Sequence, residues 1–243
     1  MCLMVMAYRC HPRYPFILAS NRDEFLARPT QPAHEWNDGS GIIAGRDEEA
    51  GGTWLGITRA KRFALLTNHR DPLHPKPKKR SRGLLVTDAL LGEALDAHAQ
   101  YEGFNLVHGP IDGLRYTNNN DGGDHAIEPG IHALSNAVLD TPWPKTIRAR
   151  ALFEQAIDRD VIDHDALFNL LKDDQRAKDD ALPRTGVPLE WERALSSIFI
   201  RASDYGTRCS TVITVDNNGR AHFEERVHAT DQRSVFQLDL SNK

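Results

Sequence analysis

The stretch Cys2-Leu3-Met4-Val5-Met6-Ala7-Tyr8, followed by Phe16-Ile17-Leu18-Ala19-Ser20-Asn21-Arg22-Asp23-Glu24-Phe25, decides how this chain is read. Both segments are apolar runs of strand length, and the cluster Arg9-Cys10-His11-Pro12-Arg13-Tyr14-Pro15 between them carries turn chemistry. The simplest structure is a β-hairpin. It sets the start of the first strand beside the polar quartet Asn21-Arg22-Asp23-Glu24, so the amino end of the chain meets a dense group of charges.

The rest of the chain supplies more strands around a helical block. Ile42–Gly45, Gly51–Thr58 and Phe63–Thr67 read as strands, and the basic turn at Ala60-Lys61-Arg62 suggests that the last two pair antiparallel. The segment from Arg28 to Gly39, rich in Pro, Gly and polar residues, reads as a long loop. Ser81 caps a helix predicted to run to about Gln100. Phe104–Val107, Leu114–Thr117 and Ile131–Asn136 are further strands. A helix is expected from about Lys145 to Arg159 with Ile147, Leu152 and Ala156 inward. A shorter helix follows from Asp163 or Asp165, then a charged, mobile stretch at 173–188 and a helix over Glu190–Phe199. The chain closes on Ser210–Val215, the turn Asp216-Asn217-Asn218-Gly219, and strands at 221–227 and 235–240; Asn-Gly between two such runs is a strong hairpin signal. Strands flanking a helical block belong to one sheet system with helices outside, so residues 1–243 read as a single domain.

Composition excludes several classes. Of 243 residues 40% are hydrophobic and 26% charged, which suits a folded core with a polar surface. No apolar run reaches the roughly 18–20 residues of a membrane span, and the first apolar run lacks the flanks of a signal peptide. A cytoplasmic location is expected. The three cysteines, Cys2, Cys10 and Cys209, argue against a disulfide framework, and without a CxxC pair a structural zinc site is not expected. A net charge of −4 gives no reason to expect nucleic acid as partner. One local exception is the basic set Lys76, Lys78, Lys79, Arg80 and Arg82, either a solvated loop or an anion-facing lid.

Cys2 is the sharpest chemical candidate. Methionine before a small residue is commonly removed, and this would leave Cys2 with a thiol and a free α-amine. An amine with a pKa near 7.7–8.0 beside a thiol near 8.5 gives a general base and a nucleophile within one residue. The plainer alternative is a small apolar residue buried in an edge strand. Arg22 or Asp23 could steady the amine and thiolate; Asn68 and Asn136, both ending strands, could stabilise an oxyanion; Arg208 could add positive charge.

Several strings resemble one family. They are Cys2, Asn21-Arg22-Asp23-Glu24, Ala44-Gly45-Arg46-Asp47, Gly51-Gly52-Thr53-Trp54-Leu55-Gly56, Leu66-Thr67-Asn68, Ser81-Arg82-Gly83, Gly103-Phe104-Asn105-Leu106, Leu134-Ser135-Asn136, Leu139–Pro144 and Tyr205–Val212. Together they resemble the NRDE family, also called the transport and Golgi organisation type, with Cys209 standing where serine is more usual. The resemblance implies kinship with cysteine N-terminal-nucleophile hydrolases, and hence an α+β fold. That fold is an αββα sandwich of two antiparallel sheets flanked by helices. It implies Cys2 as nucleophile, Arg22 and Asp23 (or Glu24) as its supports, Asn68 and Asn136 as oxyanion and substrate contacts, and Arg208 as a stabilising charge. Asn21, Glu24, Trp54, His69 and Arg82 are further candidate ligand contacts.

Members of that family have been implicated in haem trafficking, so the first expectation is a haem-binding carrier, narrowly ahead of a cysteine amidohydrolase. A catalytically silent scaffold for a lipid or acyl ligand comes third. For haem, His11, His69 and His132 are the candidate iron ligands, while Arg22 and the loop at 76–82 could meet propionates. No other metal and no nucleotide cofactor is implied; the expected partner is a small molecule, haem or an amide or acyl compound.

Overall fold

A computed structural model describes residues 2–95 and 98–241. The first half contains β1 (Cys2–Tyr8), β2 (Phe16–Phe25), β3 (Thr30–Glu35), β4 (Ile42–Asp47), β5 (Leu55–Thr58) and β6 (Arg62–Asn68). Helix α1 (Arg82–Leu91) follows, then β7 (Phe104–Pro110), β8 (Arg115–Asn118), β9 (Asp124–Ala126) and β10 (Gly130–Leu134). Three helices, α2 (Pro144–Ile157), α3 (His164–Leu170) and α4 (Leu189–Ala194), precede β11 (Tyr205–Val215), β12 (Arg220–Val227) and β13 (Arg233–Asp239).

The strands form two antiparallel sheets, ordered β10-β1-β2-β11-β12-β13 and β3-β4-β5-β6-β7-β8-β9. The two-residue period of β1 shows how they stack. Met4, Met6 and Tyr8 pack with Ile57, Phe63 and Leu65 of the other sheet, while Leu3, Val5 and Ala7 pack with Phe153 of α2 and Leu167 and Phe168 of α3. On the far side, Ala44, Ala64 and Leu66 receive Leu85, Val86 and Leu90 of α1. The layers therefore run helix, sheet, sheet, helix, as expected.

The opening hairpin forms with Cys2 directly across from Arg22 and Tyr8 across from Phe16. Because β2 lies between β1 and β11, its polar end is enclosed from both sides, and Asn21, Arg22 and Asp23 are all buried.

Several local expectations are corrected. The supposed loop at 28–39 contains β3, an edge strand whose register shifts between Gln31 and His34, around Pro32. Helix α1 ends at Leu91, where Gly92 adopts φ 78°, a left-handed cap; positions 96 and 97 of the longer helix lie outside the described residues. In α2 the inward stripe is Ala149, Phe153 and Ile157, with Leu152 and Ala156 packed at its margin, whereas Ile147 is 56% exposed. The stretch at 173–188 is tied down, with Asp173 paired to Arg148 and Ala177 N–H donating to Ser196. The helix after it covers only Leu189–Ala194.

Candidate functional site

The end of the sandwich where β1 begins holds a cleft of about 120 Å³ lined by Cys2, Arg22, Glu24, Trp54, Asn68 and Arg82, among others. Each arrives from a different element. Cys2 opens β1, and the strand period aligns it with Met4 and Met6, on the side facing the second sheet. Arg22 shares that side. Its guanidinium lies 4.1 Å from the centroid of the Trp54 ring and donates to Thr30 Oγ1 at 2.9 Å. Among the described residues Arg22 makes no ion pair, and it lines the cleft. Gly45 makes room for the ring: a Cβ there would come within 2.1 Å of Trp54 Cη2.

Asn68 ends β6 and lines the cleft; its carbonyl accepts from Asn136 Nδ2 at 2.9 Å. Asn136 is fully buried behind it and does not line the cleft. Its Oδ1 takes a bond from Ser135 Oγ at 3.0 Å, and Ser135 Oγ also reaches the Cys2 carbonyl at 3.2 Å. Asn68 thus lines the cleft, Asn136 braces Asn68 from behind, and Ser135 ties this segment to β1.

The basic loop contributes directly: Lys78, Arg80, Ser81 and Arg82 line the cleft. Gly52 lets this segment approach, since a Cβ there would fall 2.4 Å from the Gly83 carbonyl carbon. Arg82 donates to Gly103 O at 3.1 Å and pairs with Glu102 at 3.3 Å, while Arg28 pairs with Asp47 at 2.7 Å. Glu24 lines the cleft and accepts its neighbour's N–H, from Phe25.

Other expected site residues lie elsewhere. Arg208, at the bulge where β11 shifts register against β2, donates to the carbonyls of Phe25 and Arg28 and does not line the cleft. It anchors the turn after β2. Asn21 faces the helices: Nδ2 donates to Leu171 O and Ile198 O, both at 2.9 Å, and Oδ1 accepts from Ser210. It is a structural clasp rather than a ligand contact. His11 has both ring nitrogens engaged, Nε2 with Arg159 O and Nδ1 with the N–H groups of Arg13 and Tyr14. His132 likewise contacts Asp140 and Glu128 O. His69 lines a neighbouring hollow of about 270 Å³ with Lys76 and Arg82, and its buried Nδ1 has no hydrogen-bond partner among the described residues.

Asp23 also lines the cleft, and the fold buries further polar groups that sequence reasoning missed. Asp23 is 1% exposed; Thr207 Oγ1 donates to its Oδ1 at 2.7 Å and Tyr205 O–H to its carbonyl at 2.8 Å. Arg70 and Glu192 form an ion pair at 3.0 Å with side chains 6% and 5% exposed. Lys145, in the first turn of α2, is 2% exposed. Burial raises the Cys2 thiol, Asp23 adds to that, and Arg22 opposes it. Burial also raises Asp23, with Lys145 opposing. Burial brings Lys145 down to about 8, although Asp23 and Cys2 pull the other way. The available signals were Trp143-Pro144-Lys145 and Tyr205-Gly206-Thr207, short strings with no chemical signature of their own.

Two antiparallel sheets face to face between helices give the chain an N-terminal-nucleophile-hydrolase-like fold. A solved structure with this fold is the Caenorhabditis elegans ortholog of N-acylethanolamine-hydrolyzing acid amidase. It covers 87% of this chain and 92% of its own, with a TM-score of 0.51 at 11% identity, a likeness of fold alone. The chain belongs to the Transport and Golgi organisation 2 family, whose model matches residues 1–230. The Transport and Golgi organization 2 homolog of Mus musculus is 32% identical over 257 residues, spanning 93% of this chain and 92% of the relative. The Homo sapiens homolog is 32% identical over 273 residues, spanning 100% and 96%.

Proposed function

We propose that the chain is a cysteine amide hydrolase with Cys2 as nucleophile, acting on a small acyl-amide that carries a polar or anionic group. The observation that carries this reading is that Cys2 and Arg22 are direct cross-strand partners and share one cleft with Asn68. Removal of Met1 would give Cys2 the α-amine that takes the thiol proton. The thiolate then attacks the amide carbon, and the Asn68 amide suits the oxyanion that develops. Collapse expels the amine, which takes its proton from the α-ammonium, and water hydrolyses the thioester. Arg22, whose guanidinium lies over the Trp54 ring, supplies positive charge beside the sulfur, and the 78–82 segment favours an anionic substrate group. All three cysteines are unpaired, which suits a reducing compartment and supports a cytoplasmic setting.

The test is intact mass of the purified full chain, stoichiometric labelling of Cys2 by a thiol electrophile, and turnover of an amide panel by wild type and Cys2→Ala. The panel begins with N-acylethanolamines, the compounds that the fold neighbour is named for hydrolysing. Loss of Met1 with Cys2-dependent turnover is expected. Retention of Met1 with an inert Cys2 ends the proposal and leaves the silent acyl-ligand scaffold.

Haem carriage is the second reading. It rests on His69, whose buried Nδ1 lacks a partner among the described residues beside Lys76 and Arg82. Haem titration reads it directly: a Soret shift abolished by His69→Ala supports carriage, and an unchanged shift removes His69 as ligand.

A further inference from the structure

The strand register sets the backbone of Arg22 directly across from Cys2, but an arginine carries its charge at the end of a long, rotatable stem. Register alone therefore does not fix where the guanidinium lies. Two groups from the side of the second sheet do so. Trp54, just before β5, has its ring centroid 4.1 Å from the guanidinium, and Thr30, which opens β3, accepts from Nη1 through Oγ1 at 2.9 Å. A ring contact leaves the guanidinium free to turn and slide over the aromatic face. A directional bond to one nitrogen removes that freedom.

Thr30 is itself held. It pairs with Asp47 of β4, whose carboxylate takes the Arg28 side chain at 2.7 Å. The Arg28 carbonyl accepts from Arg208 Nη1 at 2.7 Å and from Thr30 Oγ1 at 3.2 Å. A hydroxyl has one proton, and here it goes to that carbonyl. The oxygen lone pairs remain to accept, which is what an arginine N–H requires. Among the described residues no other side-chain hydrogen bond is made by Arg22, and Thr30 does not line the cleft.

We infer that Thr30 is a positioning residue: its hydroxyl bridges the two sheets to hold the Arg22 guanidinium over Trp54, where its charge favours the Cys2 thiolate. The inference rests on Cys2 being the nucleophile. Thr30 acts through Arg22 alone.

The experiment is the pH profile of Cys2 alkylation by iodoacetamide in the full chain, read by peptide mass spectrometry, with exposed Cys10 as internal reference. Thr30→Val keeps the shape and removes both hydrogen bonds. It is expected to slow Cys2 labelling at neutral pH about threefold, a midpoint raised by roughly half a pH unit, without moving Cys10. Thr30→Ser, which keeps the hydroxyl, retains the wild-type profile. Thr30→Val/Arg22→Met labels no more slowly than Arg22→Met, because Thr30 then has nothing to position. A threonine that served only the strand would add its effect in both backgrounds. If Thr30→Val does not fold, Thr30→Ala provides the same readout. An unmoved midpoint, a serine variant as slow as the valine one, or an additive double variant overturns the inference while leaving Cys2 as nucleophile. A Cys2 that labels at no pH in the wild type overturns the nucleophile reading and this inference with it.

Discussion

Cys2 and Arg22 stand opposite one another on neighbouring antiparallel strands, on the side of the sheet that faces the second sheet. This relationship makes the thiol and the guanidinium a unit, because a strand pair holds facing side chains a few ångströms apart without help from loops. Arg22→Met should therefore slow Cys2 alkylation at neutral pH, roughly three- to tenfold, by removing the nearby positive charge. Arg22→Lys should restore little, since an ammonium lacks the flat face that stacks on Trp54. Equal labelling rates for all three proteins would show that Arg22 does not act on the thiol.

Gly45→Ala tests the other side of the same arrangement. The added methyl would overlap two ring carbons of Trp54, at 2.1 and 2.5 Å, and approach Gln31 O at 3.1 Å. The indole must move, and Arg22 loses its platform. A loss of about 1–3 kcal/mol in urea unfolding is expected, as for overpacked cores, together with a change in tryptophan emission. Unchanged emission and stability would mean that the ring tolerates displacement.

How far the sequence could be read depends on the range of each signal. The opening hairpin and the Asn218-Gly219 hairpin were legible because alternation and turn chemistry act within a few residues. Strand β3 was not, because Gln31-Pro32-Ala33 carries a proline that only an edge or an irregular ladder accepts, and β3 is both. The inward face of α2 was misjudged at Ile147 because an apolar residue in a helix need not face the core. At the site, Cys2, Arg22 and Asn68 follow from strand ends converging on one edge. Asn21 escaped because a one-residue step in β2 turns its side chain to the helices. Glu192 escaped because its partner Arg70 is distant in sequence, and Lys145 because no local pattern marks a charge as buried.

The Arg70–Glu192 pair gives a stability prediction. Both side chains are nearly inaccessible, and Glu192 also accepts from Thr185 N–H at 2.8 Å and its hydroxyl at 2.6 Å. Arg70→Met leaves a buried carboxylate without its cation and should cost about 3–5 kcal/mol in urea unfolding. Arg70→Met/Glu192→Gln should recover a large part of that loss, because no buried charge is then stranded. A double variant as unstable as the single one would locate the cost in the Arg70 contact with Trp143, 4.9 Å from the guanidinium, instead.

Glu225 should give the fold a characteristic pH dependence. It is 2% exposed between the sheets, where Oε1 accepts from Ala33 N–H at 2.7 Å and Oε2 from Cys209 Sγ at 3.4 Å. Burial raises its carboxyl above the ordinary 4.5, with the Ala33 N–H and Arg22 opposing. In acid, both folded and unfolded chains hold the proton and Glu225 makes no pH-dependent contribution. As pH climbs past the ordinary value, the unfolded chain releases the proton first, so stability falls until the raised folded value is passed and then levels off. Glu225→Gln has no such proton and can keep the bond from Ala33. Its stability relative to wild type should therefore grow between pH 4 and pH 8. Urea unfolding of the two proteins across that range checks the sign, and a difference that stays flat would show that Glu225 is ionised in the folded protein as readily as in the unfolded one.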